Sequence, residues 1–94
     1  MRIRYTPRAQ ADLDSIFSYL DERSPAAAVH VKRVIQHLVA GLVDFPGVGS
    51  STDVRGVRAL LAGRFPYLIF YRIAGAEIQV LHVRHTSREP WRGE

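Results

Sequence analysis

Apolar residues recur along this chain first at strand spacing, then at helix spacing, then at strand spacing again. Arg2 to Tyr5 alternates basic and apolar residues, the period of a short strand. Thr6-Pro7 follows with the signature of a helix start, a capping residue and then proline at the first helical position. Leu13, Ile16, Phe17 and Leu20 fall on one helical stripe, and Asp12, Asp14, Asp21 and Glu22 lie largely off it. Ser24-Pro25 repeats the start signal and opens a second helix, whose stripe is Ala27/Ala28, Val31, Ile35, Leu38 and Leu42. A connection of about three residues predicts an antiparallel helical hairpin. Phe45-Pro46 predicts the end of the second helix, because the residue before proline avoids the α region.

The second half reads as sheet. Gly47 to Asp53 is a glycine- and serine-rich loop, and Val54 to Leu61 is a strand with Gly56 as a bulge. Ala62 to Pro66 is a connector. Tyr67–Ile73 and Ile78–His85 form a hairpin through Ala74-Gly75-Ala76, and Thr86 to Glu94 is a polar tail whose one large apolar group is Trp91. The order is β-α-α-β-β-β. It predicts one α+β domain over residues 1–94, with an N-terminal helical hairpin packed on one face of a small antiparallel sheet.

That architecture leaves a mismatch. Tyr67, Ile69, Tyr71 and Ile73 share one face of their strand, and Leu68, Phe70 and Arg72 share the other. Both sets are mostly apolar, whereas the second face of a sheet covered by helices on one side is normally polar. Either loops or the C-terminal tail fold over the second face, or a protein partner covers it.

Composition narrows the class. Ninety-four residues, 47% hydrophobic and 23% charged, suit one small globular domain whose stability a partner can raise substantially. The absence of cysteine removes disulfides and thiolate metal sites and fits a reducing cytosol. No apolar run approaches the roughly 20 residues that span a bilayer, and Met1–Tyr5 does not begin a signal peptide. The expectation is a cytoplasmic protein that makes no membrane contact. The formal charge is +4, with twelve arginines against one lysine. High-GC codon preference accounts for such a bias, and so does selection for guanidinium groups that grip phosphates or carboxylates.

Catalytic patterns are weak. Asp12 and Asp14 are two apart on a helix and point about 200° away from each other, so they form no dyad and read as a solvated face. His82 and His85, three apart on a strand, lie on opposite faces and make no metal pair, and His30 and His37 read as surface residues. No cofactor and no metal are expected. Gly47-Val48-Gly49-Ser50-Ser51 follows a helix and lacks the lysine of a phosphate-binding loop. Arg58, Arg72 and Arg84 come from three successive strands, and their convergence on one side of the sheet would suit a phosphate backbone or an acidic protein surface.

Taken together, the segments resemble the RelE/ParE superfamily of type II toxin–antitoxin toxins over nearly the whole chain. Thr6-Pro7-Arg8-Ala9 followed by Asp12-Leu13 and Ile16 resembles the family's first helix, and Ser24-Pro25-x-x-Ala28 its inter-helix element. Leu42-x-x-Phe45-Pro46-x-x-Gly49 resembles its helix stop. Val57-Arg58-x-Leu60, Tyr67–Arg72 and Val80–His85 resemble its last three strands.

The resemblance implies a cognate antitoxin whose C-terminal segment, acidic to match this basic chain, wraps the toxin. Leu60, Leu68 and Phe70 would receive it. DNA would be met only indirectly, through the antitoxin. RelE-like members cut mRNA in the ribosome, and on that branch Arg58, Arg72, Arg84 and His85 would be the catalytic set. This chain departs from that pattern: no tyrosine follows Tyr71, and Leu68 stands where the nuclease branch carries arginine. Its ending, His85-Thr86-Ser87-Arg88, is closer to ParE-like toxins, which inhibit DNA gyrase by binding and are not enzymes. On that reading Arg58, Arg84, His85, Arg88 and Trp91 contact the target.

Overall fold

The computed structural model describes residues 1–87. The elements are β1 (Arg2–Tyr5), α1 (Pro7–Arg23), α2 (Pro25–Gly41), β2 (Ser50–Ser51), β3 (Val57–Leu61), β4 (Tyr67–Ala74) and β5 (Glu77–His85). Thr6 caps α1 by accepting from the Ala9 N–H, and Ser24 caps α2 by accepting from the Ala27 N–H. Ser24 also ends α1, its own N–H donating to the Leu20 carbonyl, so one residue rather than three joins the helices.

The five strands run in the order β1-β5-β4-β3-β2. The sheet is mixed rather than antiparallel, because β1 pairs with β5 in parallel, from Arg2 opposite Glu77 to Tyr5 opposite Val80. The helical hairpin supplies the crossover that brings the chain back to the sheet. Two further boundaries differ from the sequence pattern. Ser50–Ser51 is a short edge strand inside the segment that reads as loop, and Val54–Gly56 is the turn joining it to β3 rather than the start of a strand. Gly56 holds φ +78° in that turn, a conformation that side chains resist. The β4–β5 hairpin closes through Gly75 and Ala76, with Gly75 at φ +59°, the glycine-first pattern of a II′ turn.

Both helices cover one face of the sheet. Ala9 and Leu13 of α1 and Val31, Ile35 and Val39 of α2 pack on Tyr67, Ile69, Val80 and Val83. A second cluster, Leu42 with Tyr71 and Ile78, fills the space beyond the end of α2. Burying each such leucine or isoleucine contributes about 1.5–3 kcal/mol. The opposite face is less bare than its apolar pattern suggests. Phe70 is 6% exposed there, stacked on the His82 ring at 5.7 Å with the Arg84 guanidinium 5.5 Å from its centroid. Leu68 is half-buried and Leu61, opposite it, is half exposed.

Candidate functional site

The second half of β5 is where sequence-distant residues meet. Tyr71 pairs with Val80 and Phe70 with His82, so Leu81 is an extra residue, a bulge. The bulge places His82 beside Phe70 on the outer face while Val83, opposite Ile69, stays in the core. Beyond Val80, β1 has ended and β5 has an edge of unpaired backbone groups, which a fold must satisfy or cover. The start of α1 does so. Thr6 donates its N–H to the Val80 carbonyl at 3.0 Å and its hydroxyl to the Leu81 carbonyl at 3.2 Å. Asp12 accepts the Val83 N–H at 3.1 Å and the His82 Nδ1 at 2.6 Å on one carboxylate oxygen, and Arg8 Nε at 3.3 Å on the other. Asp12 is therefore a helix-to-sheet pin and not part of a solvated helix face. The i,i+4 spacing of Arg8 and Asp12 is the one local signal for an ion pair, and nothing in the local pattern points to β5.

At the strand's end, His85 Nδ1 receives the Ser87 N–H at 3.1 Å and lies 2.7 Å from the Ser87 hydroxyl. A backbone N–H only donates, so Nδ1 is the unprotonated nitrogen and the ring's proton sits on Nε2. Tyr67 meets the His85 ring edge-on at 5.5 Å. Burial, and then the neighbouring Tyr19, push the Tyr67 phenol above its ordinary pKa. Arg84 turns back to donate to the carbonyls of His85, at 3.0 Å, and Thr86, at 3.4 Å.

The three strand arginines do not converge. Cross-strand partners share a face. Arg58 lies opposite Tyr71 on the helix side, and its guanidinium donates to the Gly49 carbonyl at 2.7 Å and the Gly47 carbonyl at 3.3 Å. Arg72 and Arg84 are on the outer face, on either side of Phe70 along the sheet. Arg72 Nε donates to Gln79 at 2.7 Å, and Gln79 donates to Glu77 at 2.9 Å. Arg2 completes the chain at 2.9 Å from Glu77, with Arg4 at 3.9 Å. The Gln79 hydrogen bond first, then Arg2, hold the Glu77 carboxyl below its usual range.

The apolar trio also divides. Leu60 lies opposite Ile69 and packs against both core clusters, whereas Leu68 and Phe70 are on the outer face. The residue that joins them there is Leu61, opposite Leu68. Sequence alternation from Tyr67 fixes the faces of β4, but the facing of β3 depends on its register, which the turn at Val54–Gly56 sets. Arg88 and Trp91 lie outside the described residues.

Residues 3–90 match the family model described as ParE toxin of type II toxin–antitoxin system, parDE. The chain belongs to the ParE toxin family. Among relatives of this ParE-family chain, the Sinorhizobium fredii protein Y4kP is 34% identical over 88 residues, covering 94% of this chain and 91% of that one. Toxin ParE1 of Caulobacter vibrioides is 30% identical over 87 residues, covering 89% and 88%. The fold agrees with a chain of the chromosomal ParDE toxin–antitoxin system from P. aeruginosa at TM-score 0.82 and 32% identity, covering 93% and 97%. The chain is thus a type II toxin of the ParE/RelE superfamily, and the two helices followed by the sheet are the family fold.

Proposed function

We propose that this ParE-family toxin acts by binding DNA gyrase rather than by cutting mRNA, and that its cognate antitoxin neutralises it. The observation that carries the choice is the separation of Arg58 from Arg72 and Arg84. A ribonuclease needs cationic groups and an acid–base pair gathered around one phosphate. Here Arg58 is turned to the helix side, where it holds backbone carbonyls. His85 reinforces the point. Its Nδ1 is already engaged by the Ser87 N–H and lies beside the Ser87 hydroxyl, so that nitrogen is turned to its own chain and not to a substrate.

The antitoxin's acidic segment docks on the outer face of the sheet. Leu61 and Leu68 supply the apolar part of that surface, Phe70 backs it from its buried place against the His82 ring and the Arg84 guanidinium, and Arg2, Arg4, Arg72 and Arg84 give it positive charge. The strand tip, with Arg84 and His85, faces the target, and Arg88 and Trp91 of the sequence add to the binding.

Expression from a tightly controlled promoter, following plasmid supercoiling and mRNA 5′ ends together, tests the reading. Trapped gyrase–DNA cleavage complexes or lost supercoiling with intact messages is the expected result. Codon-phased mRNA cuts with normal supercoiling would overturn it in favour of the ribosome.

A further inference from the structure

The loop after α2 combines two properties that rarely coincide. Its apolar side chains point outward, with Phe45 71% exposed and Val48 61%. Its backbone, by contrast, is firmly held. The Tyr71 hydroxyl, on a fully buried ring, donates to the Pro46 carbonyl at 2.8 Å and accepts the Gly49 N–H at 2.9 Å. Arg58 grips the carbonyls of Gly47 and Gly49. The Phe45 N–H reaches the Gly41 carbonyl at 3.0 Å, and the Val48 N–H reaches the Phe45 carbonyl at 3.2 Å. Gly49 sits so close that an added Cβ would stand 2.7 Å from the Tyr71 ring.

Phe45 and Val48 are the two most exposed large apolar side chains among the described residues, and on an ordered loop they stand ready for a partner. Because the loop is already ordered, binding there avoids most of the entropy cost of fixing it. We infer that Phe45 and Val48 form the anchor by which the toxin seats on its protein target, entering an apolar socket on that target whose rim carries carboxylates facing Arg58. The inference rests on the binding mode proposed above and assigns it a second contact, away from the strand tip.

A second copy of this chain fits poorly. A two-fold pairing through this loop would set Arg58 against Arg58, a like-charge contact at the seam. The antitoxin's proposed surface is the outer face of the sheet, whereas Arg58 and this loop are on the helix side. A large partner with a concave surface matches two projecting side chains beside a cation, the arrangement in which a few buried anchors carry most of the affinity.

The test titrates purified gyrase supercoiling with the wild-type chain, with the double variant F45D/V48D, and with V29D as a control on α2, where Val29 is 50% exposed. F45D/V48D should need at least tenfold more protein for half-inhibition, while V29D matches wild type. Thermal melts of all three should agree within a few degrees, since the replaced side chains are exposed. F45S/V48S, which adds no charge, should fall between. Inhibition by F45D/V48D equal to wild type would overturn the inference alone. So would loss of co-purification with the antitoxin of its own operon, or a wild-type dimer that the variant dissociates. A wild-type chain that leaves supercoiling untouched would instead remove the gyrase reading, and this inference with it.

Discussion

The Asp12 carboxylate and the His82 ring, seventy residues apart in the chain, meet at 2.6 Å where α1 takes over the edge of β5. The same oxygen accepts the Val83 N–H, so one side chain satisfies a ring nitrogen and a strand-edge amide together. Replacing Asp12 with alanine leaves both donors without their acceptor. Such a loss costs about 1–3 kcal/mol. Urea unfolding of D12A should show a lower midpoint with an unchanged slope, and faster exchange of the Val83 amide. Wild-type stability in D12A would mean that water replaces the carboxylate at no cost.

The Gly49–Tyr71 contact makes a second prediction. G49A forces the new Cβ to 2.7 Å from Tyr71 Cε1 and Oη and 3.0 Å from the Ala59 carbonyl, so ring or loop must move. Overpacking of this kind costs about 1–3 kcal/mol. Y71F removes the hydroxyl from between Pro46 and Gly49 and should cost about 1–3 kcal/mol, because both backbone groups lose their partner. The two changes share one contact, so the double variant should be less destabilised than the sum. Denaturant titration of the full cycle checks this, and strict additivity would refute the coupling.

Glu77 sets a pH dependence. Its carboxyl is held below the ordinary value of 4.5 in the folded chain, so the unfolded chain binds a proton more readily. The stabilisation is therefore complete above the ordinary carboxylate range and is lost as pH falls through the folded value. E77Q should be less stable than wild type near neutrality, with the gap closing on acidification and in high salt. A gap that persists unchanged at acid pH would show that the effect is not electrostatic.

Leu60 and Leu61 are neighbours with opposite fates. L60A empties space against both core clusters and should cost about 2 kcal/mol of stability, with antitoxin affinity little changed once the protein is folded. L61D, at a half-exposed position on the outer face, should leave stability within about 0.5 kcal/mol while weakening antitoxin binding at least tenfold. Calorimetric titration and thermal melts of the two variants separate these effects. An L60A chain that loses antitoxin binding while keeping its stability would reverse the assignment.

Local signals in the sequence located the helices well. Proline after a capping hydroxyl marks both starts, and the stripes from Leu13 and from Val31 are the buried faces. The faces of β4 follow from alternation alone. The rest depends on relationships between distant segments. Nothing near Arg2–Tyr5 specifies a parallel partner at Glu77–Val80, and the bulge at Leu81 shifts the facing of everything after it. Asp12 carries no mark of its role, because its partner is a backbone edge that exists only when β1 stops at Tyr5. Arg58 falls in the arginine-rich half like its neighbours, and only the strand register turns it toward the Gly47–Gly49 carbonyls.

The pairing of β1 with β5 has a consequence for how the chain reaches this shape. Every other strand contact joins neighbours in sequence, but Arg2 finds Glu77 across 75 positions. Ring closure over that span is among the slower events open to a small domain. The strand synthesised first is then seated last, and Tyr5, whose neighbour Thr6 begins the cover over Leu81, waits with it. Pulse-labelled exchange during refolding should find the β1 amides protected after those of the β4–β5 hairpin. A newly made toxin would accordingly pass through an interval in which its hairpin is formed and one side of its last strand is still open.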